Sequence, residues 1–132
     1  PGAVCDSAEA AAAALAPHFA HLEREAVKVA LLTRKQRLVA VVPVYAGNLA
    51  GTSVRIGELF TEALRRNAAG LILGHNHPSG DPSPSADDIR TTREAVAAGR
   101  LLNLPVEDHL IFGAGRWVSL RRLGLGFAPA AS

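Results

Sequence analysis

One short run of the sequence constrains the fold more than any other segment does. Residues 70–73 read Gly-Leu-Ile-Leu, and this apolar run is bounded by glycine and followed by a segment rich in proline, residues 75–84. A short apolar run between turn-forming residues is typical of a strand that is buried on both faces. We therefore expect residues 70–73 to form a central strand of a sheet.

The segments on either side predict further strands and helices. Residues 26–32 and 38–45 are apolar runs joined by a charged turn, which indicates an antiparallel hairpin, and Pro43 places the second strand at an edge or at a bulge. Two more strands are expected over residues 106–112 and 117–120, joined by a turn at 113–115. Helices are expected over residues 57–67 and from Ser85 onward, with apolar faces formed by Leu59, Phe60, Ala63 and Leu64 and by Ile89, Val96, Ala97 and Leu101. This interleaving predicts the α/β or α+β class with a mixed sheet.

The chain is expected to hold one globular domain, because its 132 residues are 48% hydrophobic. Residues 1–22 are predicted to be an N-terminal helix and leader, in which Asp6 and Glu9 have the spacing of a capping box. A loop is predicted at 46–52 and a disordered tail at 128–132.

Composition excludes several classes of protein. The single cysteine, Cys5, rules out an internal disulfide and a cysteine-based zinc site. The net charge of +2 is too small to favour nucleic acid on charge alone. No apolar run approaches the ~20 residues of a membrane-spanning helix. Asp6 and Glu9 inside the alanine-rich start argue against a signal peptide, so we expect a cytoplasmic protein with no membrane partner.

The segment after the central strand carries the residues suited to chemistry. His75 and His77 are two positions apart, and on extended backbone both imidazoles point to the same side and can reach one ion. Zinc binds imidazole nitrogen and carboxylate oxygen, and a hydrolytic zinc site needs three protein ligands and an open position. Asp88, in the first turn of the next helix, is the candidate third ligand. The same acid also fits an ordinary capping box with Ser85, and the two roles can coexist.

These residues resemble the signature of the RadC family, in the JAB/MPN superfamily. The superfamily motif is an upstream Glu, then His-x-His, seven residues, Ser, two residues and Asp, and the spacing from His75 and His77 through Ser85 to Asp88 matches it. The likeness extends from about residue 23 to residue 124. It implies a JAB/MPN domain at 23–127, with a cytidine deaminase-like α-β-α fold, and a zinc ion held by the two histidines and Asp88.

The resemblance also implies two further catalytic groups. Active relatives use a Glu as general base and the motif Ser to stabilise the oxyanion, which is Ser85 here. Their Glu lies at the start of the first core strand, and Glu25 matches that place best. Glu23 points to the same side if the strand starts early. Glu58 is a candidate by sequence order alone, and its neighbours Leu59 and Phe60 favour a structural role.

The predicted function is therefore zinc-dependent hydrolysis of a peptide or isopeptide amide. Two alternatives remain open. The first is a binding or scaffold module with the fold but no catalysis. The second is a DNA-associated protein, for which the basic residues are Arg34, Lys35, Arg37, Arg65, Arg66, Arg121 and Arg122. The sequence leaves the substrate and the oligomeric state open.

Overall fold

The computed structural model describes residues 2–47 and 54–127. The predicted loop beyond Gly47 and the predicted tail lie outside these ranges. In chain order the elements are α1 (Ala8–Leu15), a 3₁₀ turn (Ala16–His18), β1 (Glu25–Leu32), β2 (Leu38–Gly47), α2 (Ile56–Arg65), β3 (Gly70–Asn76), α3 (Ala86–Leu102), β4 (Val106–Gly113), β5 (Arg116–Ser119) and α4 (Leu120–Leu123).

The strands form one mixed sheet in the order β2-β1-β3-β4-β5. β3 and β4 are parallel, and the other neighbouring pairs are antiparallel. All seven residues of β3 are buried, as expected of a strand at the centre of a sheet. The predicted α+β class with a mixed sheet is confirmed.

The predicted hairpin is confirmed as β1 and β2. β2 is an edge strand, and its register against β1 shifts between Tyr45, opposite Val27, and Pro43, opposite Lys28. Both expectations for Pro43 are therefore met, because an edge strand with a bulge tolerates a residue that has no N–H to donate.

Helices cover both faces of the sheet. On one face, Leu15 of α1 and Phe19 pack with Ala30, Ile72 and Leu110 from the strands. On the other face α2 and α3 cover the sheet, through a cluster that includes Val29, Leu31, Leu59, Phe60, Leu71, Leu73 and Ala95. The segment before residue 23 thus supplies one helical layer, and the domain boundary proposed there stays a prediction.

Parts of the predicted helix faces are wrong. Leu64 in α2 is 52% exposed and Leu101 in α3 is 86% exposed, and Ala97 is exposed too. The buried residues of α3 are instead Thr92, Ala95 and Gly99. The small side chains on this face let α3 pack close to the neighbouring elements. An apolar pattern in the sequence shows which residues could be buried, but it does not show which face of the helix packs most closely.

Two element ends also differ from the predictions. Ser7, rather than Asp6, caps α1 by accepting a hydrogen bond from the Ala10 N–H, and Glu9 pairs with Arg122 across 2.6 Å. Leu120 begins α4 and does not end a strand, because the Ser119 side chain caps that helix. Across the described residues, no helix is both long and apolar enough to cross a bilayer.

Candidate metal centre

The two histidines lie at the carboxyl end of the central strand. His75 is within β3 and buried, and His77 directly follows the strand. Their ring centroids are 4.8 Å apart with the planes perpendicular. Strand alternation places both rings on the same side and Asn76 on the other, as the sequence predicts.

Asp88 reaches this pair from the first turn of α3. Its Oδ1 lies 3.4 Å from His75 Nδ1, and its Oδ2 lies 3.2 Å from His77 Nε2. The capping box is present as well, because Asp88 Oδ2 accepts from the Ser85 N–H and Ser85 Oγ accepts from the Asp88 N–H. The cap holds the carboxylate turned inward, so the two roles coexist.

The three side chains could hold a metal ion. Each offers one ligand atom, and these atoms all lie within 4.8 Å of one another. His77 Nδ1 is 2.9 Å from the Asp81 carbonyl oxygen, which can only accept, so we assign the N–H to Nδ1 and a lone pair to Nε2. That lone pair faces an oxygen of Asp88, and two acceptors at this distance need a cation between them, either a proton or a metal ion. The donor set therefore fits a divalent cation such as zinc.

Glu25 begins β1 on the other side of His75. Its Oε1 lies 2.6 Å from His75 Nε2, and its side chain is 42% exposed. A neutral imidazole has a single N–H, so the shorter contact assigns that proton to Nε2 and leaves the Nδ1 lone pair facing Asp88. Among the three predicted glutamates, Glu25 is the one that contacts a histidine of the site. Glu23 is exposed, and Glu58 lies 4.0 Å from Arg55.

The ionisation of these groups reflects their mutual contacts. Burial opposes the charge on Asp88, but hydrogen bonds from Ser85, and from His77 when a proton occupies its Nε2, outweigh it and hold the pKa of Asp88 well below its ordinary value. The hydrogen bond that a protonated His77 donates to Asp88 raises the pKa of His77, and the hydrogen bond from His75 lowers the pKa of Glu25. Both carboxylates are therefore ionised at neutral pH, as metal ligation and proton acceptance require.

Asn76 fixes the backbone on both sides of Glu25. Its Oδ1 accepts from the Ala26 N–H at 2.7 Å, and its Nδ2 donates to the Arg24 carbonyl oxygen at 3.0 Å. Sequence reasoning missed this role, since it depends on a partner fifty positions away. The one available signal was the position of this amide between two candidate ligands.

Asp108 and His109 lie at the neighbouring strand β4 and point in opposite directions. Asp108 accepts from the Ser119 hydroxyl at 2.6 Å and from the Arg121 N–H at 3.2 Å, which ties α4 to the sheet. His109 faces the site, with its ring centroid 5.9 Å from that of His75. Because adjacent residues of a strand face opposite ways, only His109 of this pair reaches the site.

Ser85 stands at the N-cap of α3, and its exposed hydroxyl oxygen accepts from the Asp88 N–H at 3.0 Å. That bond leaves the hydroxyl proton available to donate. The role of Ser85 towards an oxyanion stays a prediction, as do the roles of Glu25 and of the three candidate ligands.

Comparison with known proteins places these residues in a family context. The profile of the RadC-like JAB domain matches residues 5–125. A UPF0758 protein of Chloroflexus aurantiacus is 53% identical over 109 residues, covering 83% of this chain and 48% of that protein. A UPF0758 protein of Chloroflexus aggregans is 51% identical over 116 residues, 88% of this chain and 51% of the relative. A third, from Roseiflexus sp., is 50% identical over 83% of this chain and 47% of its own. The chain thus spans about half the length of these relatives.

Proposed function

The chain belongs to the family of RadC-like JAB domains, and on this premise we propose that it is a zinc-dependent hydrolase of peptide or isopeptide amide bonds. The observation that carries the proposal is the convergence of His75, His77 and Asp88, whose ligand atoms lie within 4.8 Å of one another. The donor set of two imidazoles and one carboxylate supports zinc, which favours these ligands in hydrolytic sites. Because the matched region covers only about half of each relative, the activity is proposed for the domain.

The three convergent side chains would hold the ion. The lone pairs assigned to the two imidazoles and the ionised Asp88 would present three ligand atoms to a cation, which would displace any proton held between His77 and Asp88. When bound, zinc supplies Lewis acidity, which lowers the pKa of a coordinated water towards about 7 and polarises a carbonyl.

Glu25 is proposed as the general base. It is ionised, half-exposed and next to His75, so it can accept a proton from water and later donate that proton to the leaving amine. Asn76 holds the backbone on both sides of Glu25 and so limits where the carboxylate can lie. Ser85 is proposed to donate its hydroxyl proton to the developing oxyanion.

Metal analysis of the purified chain tests the metal centre. We expect about one zinc per chain, and loss of zinc in His75→Ala and in Asp88→Ala. Asp87→Ala is the matched control, because Asp87 is the adjacent acid but is exposed and pairs with Arg90. Wild-type protein without zinc, or equal loss from Asp87→Ala and Asp88→Ala, contradicts the proposal.

Hydrolysis tests the catalytic part. We expect the zinc-loaded chain to cleave members of a library of peptides and lysine-linked isopeptides, and Glu25→Gln to retain zinc while losing at least about a hundredfold in rate. Glu23→Gln, which changes an exposed neighbour, is the control. A chain that binds zinc but cleaves nothing, or an active Glu25→Gln variant, favours the alternative of a scaffold module.

The nucleic-acid alternative has less support. Arg65 and Arg66 pair with Glu62, Arg121 pairs with Glu107, and Arg122 pairs with Glu9. Four of the seven basic residues that the sequence singled out are thus already paired with acids of their own chain, which makes them less available for phosphate contacts. A cytoplasmic location stays part of the proposal.

A further inference from the structure

One buried atom near the candidate metal centre lacks a partner. Among the residues that the structure describes, the only buried side-chain nitrogen or oxygen without a hydrogen bond is Nε2 of His109. His109 is 4% exposed. A buried polar atom left unpaired costs free energy, so it points either to strain or to a group that binds there.

The protonation of His109 follows from its other nitrogen. Thr92 Oγ1 lies 2.6 Å from His109 Nδ1 and 2.7 Å from the Asp88 carbonyl oxygen. The threonine has one proton, and the carbonyl can only accept it, so Thr92 must accept from Nδ1–H for both contacts to be hydrogen bonds. Nε2 therefore carries a lone pair, and its missing partner is a hydrogen-bond donor.

His109 belongs to the wall of a cleft that borders the candidate site on the side of His75 and Asp88. This cleft has a volume of about 60 Å³, and the polar residues around it include Glu25, His75 and Asp88. Apolar walls are formed by Val27, Val54, Leu59 and Leu73. Because His109 is not one of the residues whose ligand atoms converge, it is poorly placed to hold the same ion. Its lone pair is available to something bound beside the metal.

We propose that His109 is a substrate-binding residue whose Nε2 accepts a hydrogen bond from the N–H of the substrate amide, so that the site selects amides that carry a hydrogen on nitrogen. This inference rests on the proposed function and adds to it the residue that recognises the N–H of the amide. A secondary amide has one N–H next to its carbonyl, whereas an ester or an N-alkylated amide has none. A buried acceptor discriminates against ligands that leave it unpaired.

Two small hydroxamates test this without a known substrate. Acetohydroxamic acid and N-methylacetohydroxamic acid both offer two oxygens to zinc, but only the first has an N–H. We expect the zinc-loaded wild type to bind acetohydroxamic acid about tenfold more tightly by calorimetry. His109→Phe, which keeps an aromatic ring without the lone pair, is expected to bind the two probes about equally while retaining zinc. His109→Gln, which restores an acceptor oxygen, should recover part of the preference.

A second measurement covers the case in which His109→Phe does not fold. In wild-type protein labelled with ¹⁵N-histidine, acetohydroxamic acid should shift the Nε2 resonance of His109 towards the hydrogen-bonded range, and the N-methyl compound should not. Equal affinity of the wild type for both probes overturns the proposal, as does a preference that survives in His109→Phe, since that preference is steric. If zinc is bound but neither probe binds, the substrate-binding role of His109 is overturned while the proposed metal centre is retained. If zinc is absent, the proposed function fails.

Discussion

Asn76 shows how one extended tripeptide can serve two faces of a sheet. His75 and His77 turn to the candidate metal centre, while the amide between them forms hydrogen bonds to Arg24 and Ala26 in place of a further backbone pair. Because those two bonds bracket Glu25, the two histidines proposed as ligands and the proposed base are held by the same strand end. Any displacement of β3 relative to β1 would move both.

Replacing Asn76 by Asp should disturb Glu25 more than the metal ligands. An ionised aspartate cannot donate to the Arg24 carbonyl, so an acceptor would face an acceptor in a buried place. We expect a loss of about 1–3 kcal/mol in the free energy of unfolding, measured with urea, and a lower hydrolysis rate at unchanged zinc content. Loss of zinc in step with activity would show that Asn76 supports the whole site.

His109 should make the metal-free protein sensitive to acid. Burial and the nearby His75 lower its pKa to about 3, against an ordinary value of 6.5. Between these pH values the unfolded chain binds a proton that the folded chain does not, so this contribution to stability is complete above pH 6.5 and is lost as the pH falls.

The comparison with His109→Gln isolates that contribution, because the other histidines titrate in both proteins. In EDTA, urea unfolding at about pH 7.5 and about pH 5 should show the wild type losing about 2 kcal/mol more than the variant on acidification. A pH dependence that is the same in both proteins would mean that His109 is charged in the folded state.

Two glycines in helices should respond in opposite ways to the same substitution. In α3, a Cβ at Gly99 would lie 2.4 Å from the backbone oxygen of Leu104, so Gly99→Ala should reduce stability by about 1–3 kcal/mol. In α2, a Cβ at Gly57 would meet nothing within 4 Å, so Gly57→Ala should add about 0.5–1 kcal/mol through helix propensity. Thermal and urea unfolding of both variants measure this, and a gain for Gly99→Ala would contradict the close approach.

The difference between local sequence signals and tertiary packing also explains which features of the strands and helices could be predicted from the sequence. Strand β3 was evident because a fully apolar run between glycines has few other solutions, and Pro43 identified an edge because it cannot donate. The buried face of α3 was not evident, since Thr92 and Gly99 give no hydrophobic signal. Their burial depends on how closely α3 packs against Leu104 and His109, which follow it in the chain. Such tertiary packing cannot be inferred from the pattern of the helix alone.

The candidate site divides in a similar way. His75, His77 and Asp88 were predicted because strand alternation and a helix cap are local rules, and the structure brings these three together. The hydrogen bonds of Asn76 and His109 connect residues that are distant in sequence, so local rules could not reveal them. Sequence order alone left Glu23, Glu25 and Glu58 open, and pairing of β1 with β3 places Glu25 beside His75.

The molecule as a whole has the layered form in which sites lie beyond the carboxyl ends of parallel strands. β3 and β4 are the parallel pair; β3 supplies His75 near that end, whereas β4 supplies His109 from its middle, opposite Leu73. The helices on the two faces of the sheet make different contributions to the candidate site. α3 contributes Asp88 directly, whereas α1 contributes only packing against Ala30, Ile72 and Leu110 on the opposite face.

Whether the segment before residue 23 is a dispensable leader can be decided by one substitution. Leu15 in α1 is fully buried, so Leu15→Ala should cost about 2–5 kcal/mol in unfolding free energy if α1 is an integral layer of the domain. Leu123→Ala is the matched control, because Leu123 is 53% exposed and should change stability by less than about 0.5 kcal/mol. If both variants unfold at the wild-type urea concentration, α1 is not part of the cooperative unit. If Leu15→Ala alone is destabilised, the sheet depends on α1, because one of its faces would otherwise lose its apolar cover.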